Sequence, residues 1–92
     1  MSLEVINSPD RLAERMRAAI AEALPGAEVR VRPGAGPGHF EVEVVSAAFA
    51  GLSRVQQQQR VYAALRPFMS GEGAPVHAID RMMTATPEGA GR

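Results

Sequence analysis

Two histidines, His39 and His77, are the residues of this 92-residue chain whose type and placement best suit chemistry. Each stands where a Gly/Pro-rich stretch gives way to an apolar one: Gly36-Pro37-Gly38 precedes His39, and Gly71-Glu72-Gly73-Ala74-Pro75 lies just before Val76-His77. Such a junction anchors the backbone and leaves the side chain free to face solvent, where an imidazole is either polar surface or a metal ligand. Two imidazoles alone do not close a tetrahedral site, which wants four donors, so a metal here needs ligands from a partner. The chain has no Cys, which excludes disulfides and thiolate catalysis.

Other chemistries find less support. Gly34, Gly36 and Gly38 form a G-x-G-x-G run, but the phosphate-binding lysine is missing and the run joins two strand-like segments rather than a strand and a helix. Asp10 and Asp80 fall in a helix start and a strand, with no nucleophile elbow nearby. The chain reads as a non-enzyme. Arg54, Arg60 and Arg66 are candidates for nucleic-acid contact, yet a spacing of six residues wraps them around a helix at ~100° per residue. Ten Arg, with no Lys, balance ten Asp plus Glu, so broad phosphate neutralisation is not the main source of affinity. No apolar run approaches the ~20 residues that span a bilayer. Residues Met1–Asn7 lack the basic and apolar parts of a secretory signal, so a cytoplasmic protein is expected.

The elements that must carry these residues follow from pattern. Ser8-Pro9-Asp10 opens a helix whose stripe is Leu12, Met16, Ala19, Ile20, Ala23 and Leu24, and Pro25-Gly26 ends it. Val29 and Val31 alternate with Glu28, Arg30 and Arg32. Phe40, Val42 and Val44 alternate with His39, Glu41 and Glu43. Period two predicts two strands, each with one buried and one wet face, the wet faces carrying opposite charge. Phe49 is expected to plug the core. Ser53-Arg54-Val55-Gln56 is a capping box opening a second helix, with Val55, Val61, Tyr62, Leu65 and Phe68 in one apolar sector that also contains Gln58. The tract Gln56–Gln59 reads as polar helix surface. Pro67 should kink or stop this helix near Arg66. Residues 76–85 predict a third strand, closed by Thr86-Pro87, and 88–92 a frayed tail. The order α-β-β-α-β predicts an α+β domain, a three-stranded mixed sheet covered on one face by helices. One domain spans residues 1–92, with an ordered core of about 8–87.

Gly38-His39-Phe40, then Phe49-x-Gly51-x-Ser53-Arg54-Val55-x-x-Gln58-Gln59-x-Val61-Tyr62-x-x-Leu65, then Val76-His77-Ala78 and Thr86-Pro87-Glu88 together resemble the BolA family. The Ser-Arg-Val and Gln-Gln pieces are most similar to its IbaG-like branch. The resemblance covers roughly residues 8–88 and implies a fold like a class II K-homology domain. It also implies a non-enzymatic role: pairing with a monothiol glutaredoxin and sharing a 2Fe-2S cluster with it and with glutathione. The isolated protein would then carry no cofactor. His77 corresponds to the family's cluster ligand. Mixed imidazole and thiolate ligation lowers the negative charge at a cluster and raises its potential.

The sequence departs from the family in four places. The second ligand often lies in the first hairpin loop, where this chain has Pro33-Gly34-Ala35-Gly36-Pro37 and no coordinating side chain. Either His39 substitutes, or a solvent or partner ligand does. Gln58 stands where other branches carry a His. The third strand is one residue longer than usual, which predicts a bulge near Asp80-Arg81. The aromatic that often follows Thr-Pro-x-Glu is missing, so the C-terminal helix is expected to be short or absent. The alternative function is a DNA-binding regulator using Arg54, Arg60 and Arg66. An exposed sheet edge could also support a homodimer.

Overall fold

A computed structural model of the chain describes residues 8–90. Helix α1 (Pro9–Ala23) starts at Ser8, whose hydroxyl accepts the Arg11 amide at 3.2 Å, and Pro9 occupies the first turn. Strands β1 (Glu28–Pro33) and β2 (His39–Val45) pair antiparallel, with Arg30 opposite Glu43 and Arg32 opposite Glu41. A single 3-10 turn (Ala47–Phe49) leads into helix α2 (Arg54–Met69). Strand β3 (Ala78–Ala85) then pairs parallel to β2, and α3 (Pro87–Ala90) follows. The sheet order is β1-β2-β3, so β2 is central and both neighbours present a free edge among the described residues. No described helix is long and apolar enough to cross a membrane.

The two faces of β2 set the layering. Phe40, Val42 and Val44 are buried against the helices, with Met16 and Ile20 from α1 and Val61 and Leu65 from α2. His39, Glu41 and Glu43 turn to the other face, which no described helix covers. There Arg32 reaches Glu41 at 3.1 Å and Glu43 at 3.7 Å. These half-exposed pairs each contribute only a few tenths to ~1 kcal/mol and mainly favour the observed register. The expected bulge is present. Phe40 pairs with Ile79 but Glu41 pairs with Arg81, so Asp80 is the extra residue. That insertion returns Met82 and Thr84 to the covered face, opposite Val42 and Val44.

Helix α2 departs most from expectation. Val55 is 61% exposed and Tyr62 42% exposed, although the apolar sector places both in the core. The buried stripe is rotated, because a polar residue occupies its first position. Gln57 accepts the Thr84 hydroxyl of β3 at 2.8 Å and donates to the Leu52 carbonyl at 3.1 Å. From Gln57 the stripe runs to Val61, Ala64, Leu65 and Phe68, the i, i+4, i+7 spacing of one helix face. Gln56 completes the capping box with Ser53, so two of the four glutamines have structural partners. Pro67 does not end the helix, which continues to Met69. Its missing N–H costs the helix the bond to the carbonyl of Ala63, an exposed residue. The third strand begins at Ala78 rather than Val76, and α3 is the short C-terminal helix that the missing aromatic allowed, extending into the 88–92 stretch read as a frayed tail. Residues 91–92 lie outside the described residues.

Phe49 is fully buried, as its plug role requires. Phe49→Ala should lower the unfolding free energy by about 3–5 kcal/mol through the cavity it leaves. Val55→Ala should change it by less than ~0.5 kcal/mol. Urea unfolding of the two variants checks both values, and a large loss at Val55 would contradict the rotated stripe.

Candidate functional site

Backbone contacts fix the position of His77 before any side chain does. Val76 is buried, and its amide donates to the Phe68 carbonyl at 3.1 Å, tying the entry of β3 to the end of α2. The next two amides, of His77 and Ala78, both donate to the carbonyl of Gly38, at 2.8 and 3.1 Å. Gly38 has φ of +78°, a conformation that suits glycine. A Cβ built on Gly38 would lie 2.7 Å from both Cγ and Nδ1 of His77. The imidazole therefore occupies the space that any side chain at 38 would take.

The His77 residue is exposed. It lines a groove of about 420 Å³ between the start of α1, the end of the hairpin loop and the loop before β3. The walls are apolar or backbone: Pro9, Leu12, Pro37, Phe40 and Pro75. Among the described residues Arg15 is the one charged side chain lining it, its guanidinium 5.6 Å from the centre of the Phe68 ring. The ring of His77 makes no hydrogen bond among the described residues, whose polar contacts include only one histidine ring nitrogen, that of His39.

His39 is built differently. Its Nδ1 lies 2.7 Å from Oδ1 of Asp80, the bulge residue of β3. The other carboxylate oxygen accepts the Ala35 amide at 3.2 Å. Both contacts hold the Asp80 carboxyl below its ordinary range, the bond to His39 more than the bond to Ala35. An ionised carboxylate only accepts, so Nδ1 of His39 carries the proton and donates. Gly34 closes the arrangement: its amide donates to the His39 carbonyl at 2.7 Å, and a Cβ there would meet Asp80 at 2.7 Å.

The two histidines thus sit at the same end of the sheet but on opposite faces. His77 shares the helix side with Phe40 and Leu12, whereas His39 shares the open side with Arg32 and Glu41. Arg54, Arg60 and Arg66 are all exposed on α2, and none lines the His77 groove. No described cluster of three or more His, Asp or Glu could hold a metal ion alone. Sequence pattern did not single out Asp80 as a partner of His39, nor Gly38 as the seat of His77, nor Arg15 as a groove residue. The only available signal was the extra residue in the third strand being a carboxylate.

The pattern of the family described as BolA-like protein matches residues 3–89. The chain belongs to the BolA-like family. BolA-like protein 1 of Homo sapiens is 38% identical over 77 residues, which cover 84% of this chain and 47% of that protein. An uncharacterised protein of Haemophilus influenzae is 55% identical over 42 residues, 45% of this chain and 46% of its own. The chain spans about half the length of these curated relatives. The solution structure of BolA1 from Mus musculus superposes with a TM-score of 0.69 at 31% identity, covering 85% of this chain and 67% of that one. BolA1 from Arabidopsis thaliana gives 0.68 at 27% identity, covering 83% and 92%. The fold expected from the BolA resemblance is therefore the fold observed.

Two outcomes test this BolA-like site. Gly38→Ala should cost more than the ~1–2 kcal/mol of a left-handed non-glycine residue, because the new methyl also displaces the His77 ring. Urea unfolding reads the first effect and the His77 ring-proton shifts read the second. For Asp80, a folded pKa below the unfolded value means the folded state binds fewer protons between the two. Its stabilisation is complete above the ordinary carboxylate range and fades as pH falls through the lowered value. Asp80→Asn should flatten that part of the acid-unfolding profile, as followed by circular dichroism. An unchanged acid limb would contradict the contact.

Proposed function

We propose that this chain is a non-enzymatic accessory protein that shares a 2Fe-2S cluster, as cargo, with a monothiol glutaredoxin and glutathione. The observation that carries the reading is an exposed imidazole, backbone-pinned at one end of the sheet, in a mainly apolar groove that Arg15 also lines. The fit to a cluster is one of donor chemistry. An imidazole nitrogen is a good ligand for iron, and a chain without Cys leaves the thiolates to its partner. Arg15 suits a partner surface that bears thiolates, since those carry negative charge. The Pro, Leu and Phe walls offer a largely dry contact around the ligand, which strengthens electrostatic attraction.

Each residue has a definable part in this reading. His77 donates a nitrogen lone pair. Gly38 leaves room for the ring and, through its carbonyl, holds the backbone on either side of it. Val76, anchored to α2, keeps the ligand from moving with the loop before it. A mixed nitrogen and sulfur ligand set raises the potential of a cluster relative to an all-thiolate one.

Titrating the chain into a cluster-loaded monothiol glutaredoxin should alter the visible absorption and circular dichroism of the cluster. His77→Ala should abolish the change while leaving far-ultraviolet circular dichroism intact. A full spectral response from the alanine variant would overturn His77 as the ligand and the proposal with it.

A further inference from the structure

We infer that the imidazole of His77 is the one cluster ligand among the described residues of this chain, and that the other three terminal positions are filled by donors other than these. The inference rests on the cluster-sharing function proposed above and names how the ligands divide between the partners. A 2Fe-2S cluster has four terminal ligand positions.

Three observations remove a second ligand from the described residues. The first is the face of His39. Its carbonyl takes the Gly34 amide, and its side chain lies on the open side of the sheet with Arg32 and Glu41. His77 looks into the groove on the helix side, beside Phe40 and Leu12. The bond from His39 to Asp80 would by itself suit a metal-bound imidazole, which commonly donates its second nitrogen to a carboxylate. The face decides against it. A ring held 2.7 Å from Asp80 on the open side cannot reach a metal centred in the groove unless it leaves the carboxylate and crosses the central strand.

The second observation is the hairpin loop. Pro33, Gly34, Ala35, Gly36 and Pro37 offer no donor side chain. Gly34 also cannot gain one, since its missing Cβ leaves the space that Asp80 fills. The third is the groove itself. Apart from His77, its one ionisable lining group among the described residues is Arg15, a cation that repels metal rather than binding it. The His39–Asp80–Ala35 set is therefore a clasp that joins β2, the β3 bulge and the hairpin loop, and the His77 site is separate from it.

One nitrogen and three external donors leave the cluster closer in charge and potential to an all-thiolate centre than two imidazoles would. The test counts nitrogens. The full chain, labelled with 15N at histidine, is mixed with cluster-loaded monothiol glutaredoxin, and the complex is reduced for pulsed electron paramagnetic resonance. The expected result is one strongly coupled labelled nitrogen, lost in His77→Ala and unchanged in His39→Asn. Two coupled nitrogens in the unsubstituted complex would overturn the inference, with or without a folded His39 variant. Loss of the second coupling in His39→Asn would then assign it. No labelled nitrogen at all, or a signal that survives in His77→Ala, would instead remove the ligand role of His77 on which the proposed function stands.

Discussion

The carbonyl of Gly38 accepts the amides of both His77 and Ala78, and the absence of a side chain at 38 lets the His77 imidazole lie against it. The rest of the site depends on that arrangement. It joins the end of the hairpin loop to the beginning of β3, where parallel pairing starts. A parallel strand can reach its neighbour only after a long crossover, here the turn at Ala47–Phe49 and the whole of α2. The imidazole is therefore placed by contacts some forty residues apart in sequence, and its immediate support is backbone. Backbone support is rigid in a way that long polar side chains are not, because it loses no rotamer freedom when it forms.

The second constraint is the sheet's two-sidedness. Covering one face with helices makes the core, and leaving the other bare divides the polar residues between a groove and an open surface. The same alternation that buries Phe40, Val42 and Val44 sends His39, Glu41 and Glu43 the other way. The bulge at Asp80 keeps this alternation in phase along β3 and supplies the carboxylate that His39 bonds. One inserted residue thus serves register and clasp together. The core is small, as expected for a chain of this size, and Gln57 with Thr84 shows that part of the helix–sheet contact is polar.

The helix starts and the hairpin strands were legible in the residues. Ser8-Pro9 and Ser53-x-x-Gln56 set helix starts through short-range hydrogen bonds that need no tertiary partner. Alternation defined both hairpin strands, the opposite charges across them, and the α+β order. Set against the BolA family pattern, in which the third strand is usually one residue shorter, the spacing to Thr86-Pro87 called for a bulge near the place where one occurs. The exposed His77 after a Gly/Pro loop was also visible, since a backbone-anchored junction leaves little room to hide a side chain.

What the sequence determined by itself, then, was the order of the two long helices and three strands, the helix N-caps and the residue types offered for chemistry, because these follow from interactions a few residues long. Tertiary structure decided which face of α2 meets the sheet, since a glutamine with a threonine partner displaced the valine that hydropathy favours. It also decided that His39 and His77, alike in sequence setting, stand on opposite sides of β2, one against Asp80 and the other in the groove. The physical reason is common to both. A side chain's face is fixed by where a strand or helix docks, and docking is settled by long-range packing that periodicity within one segment does not encode.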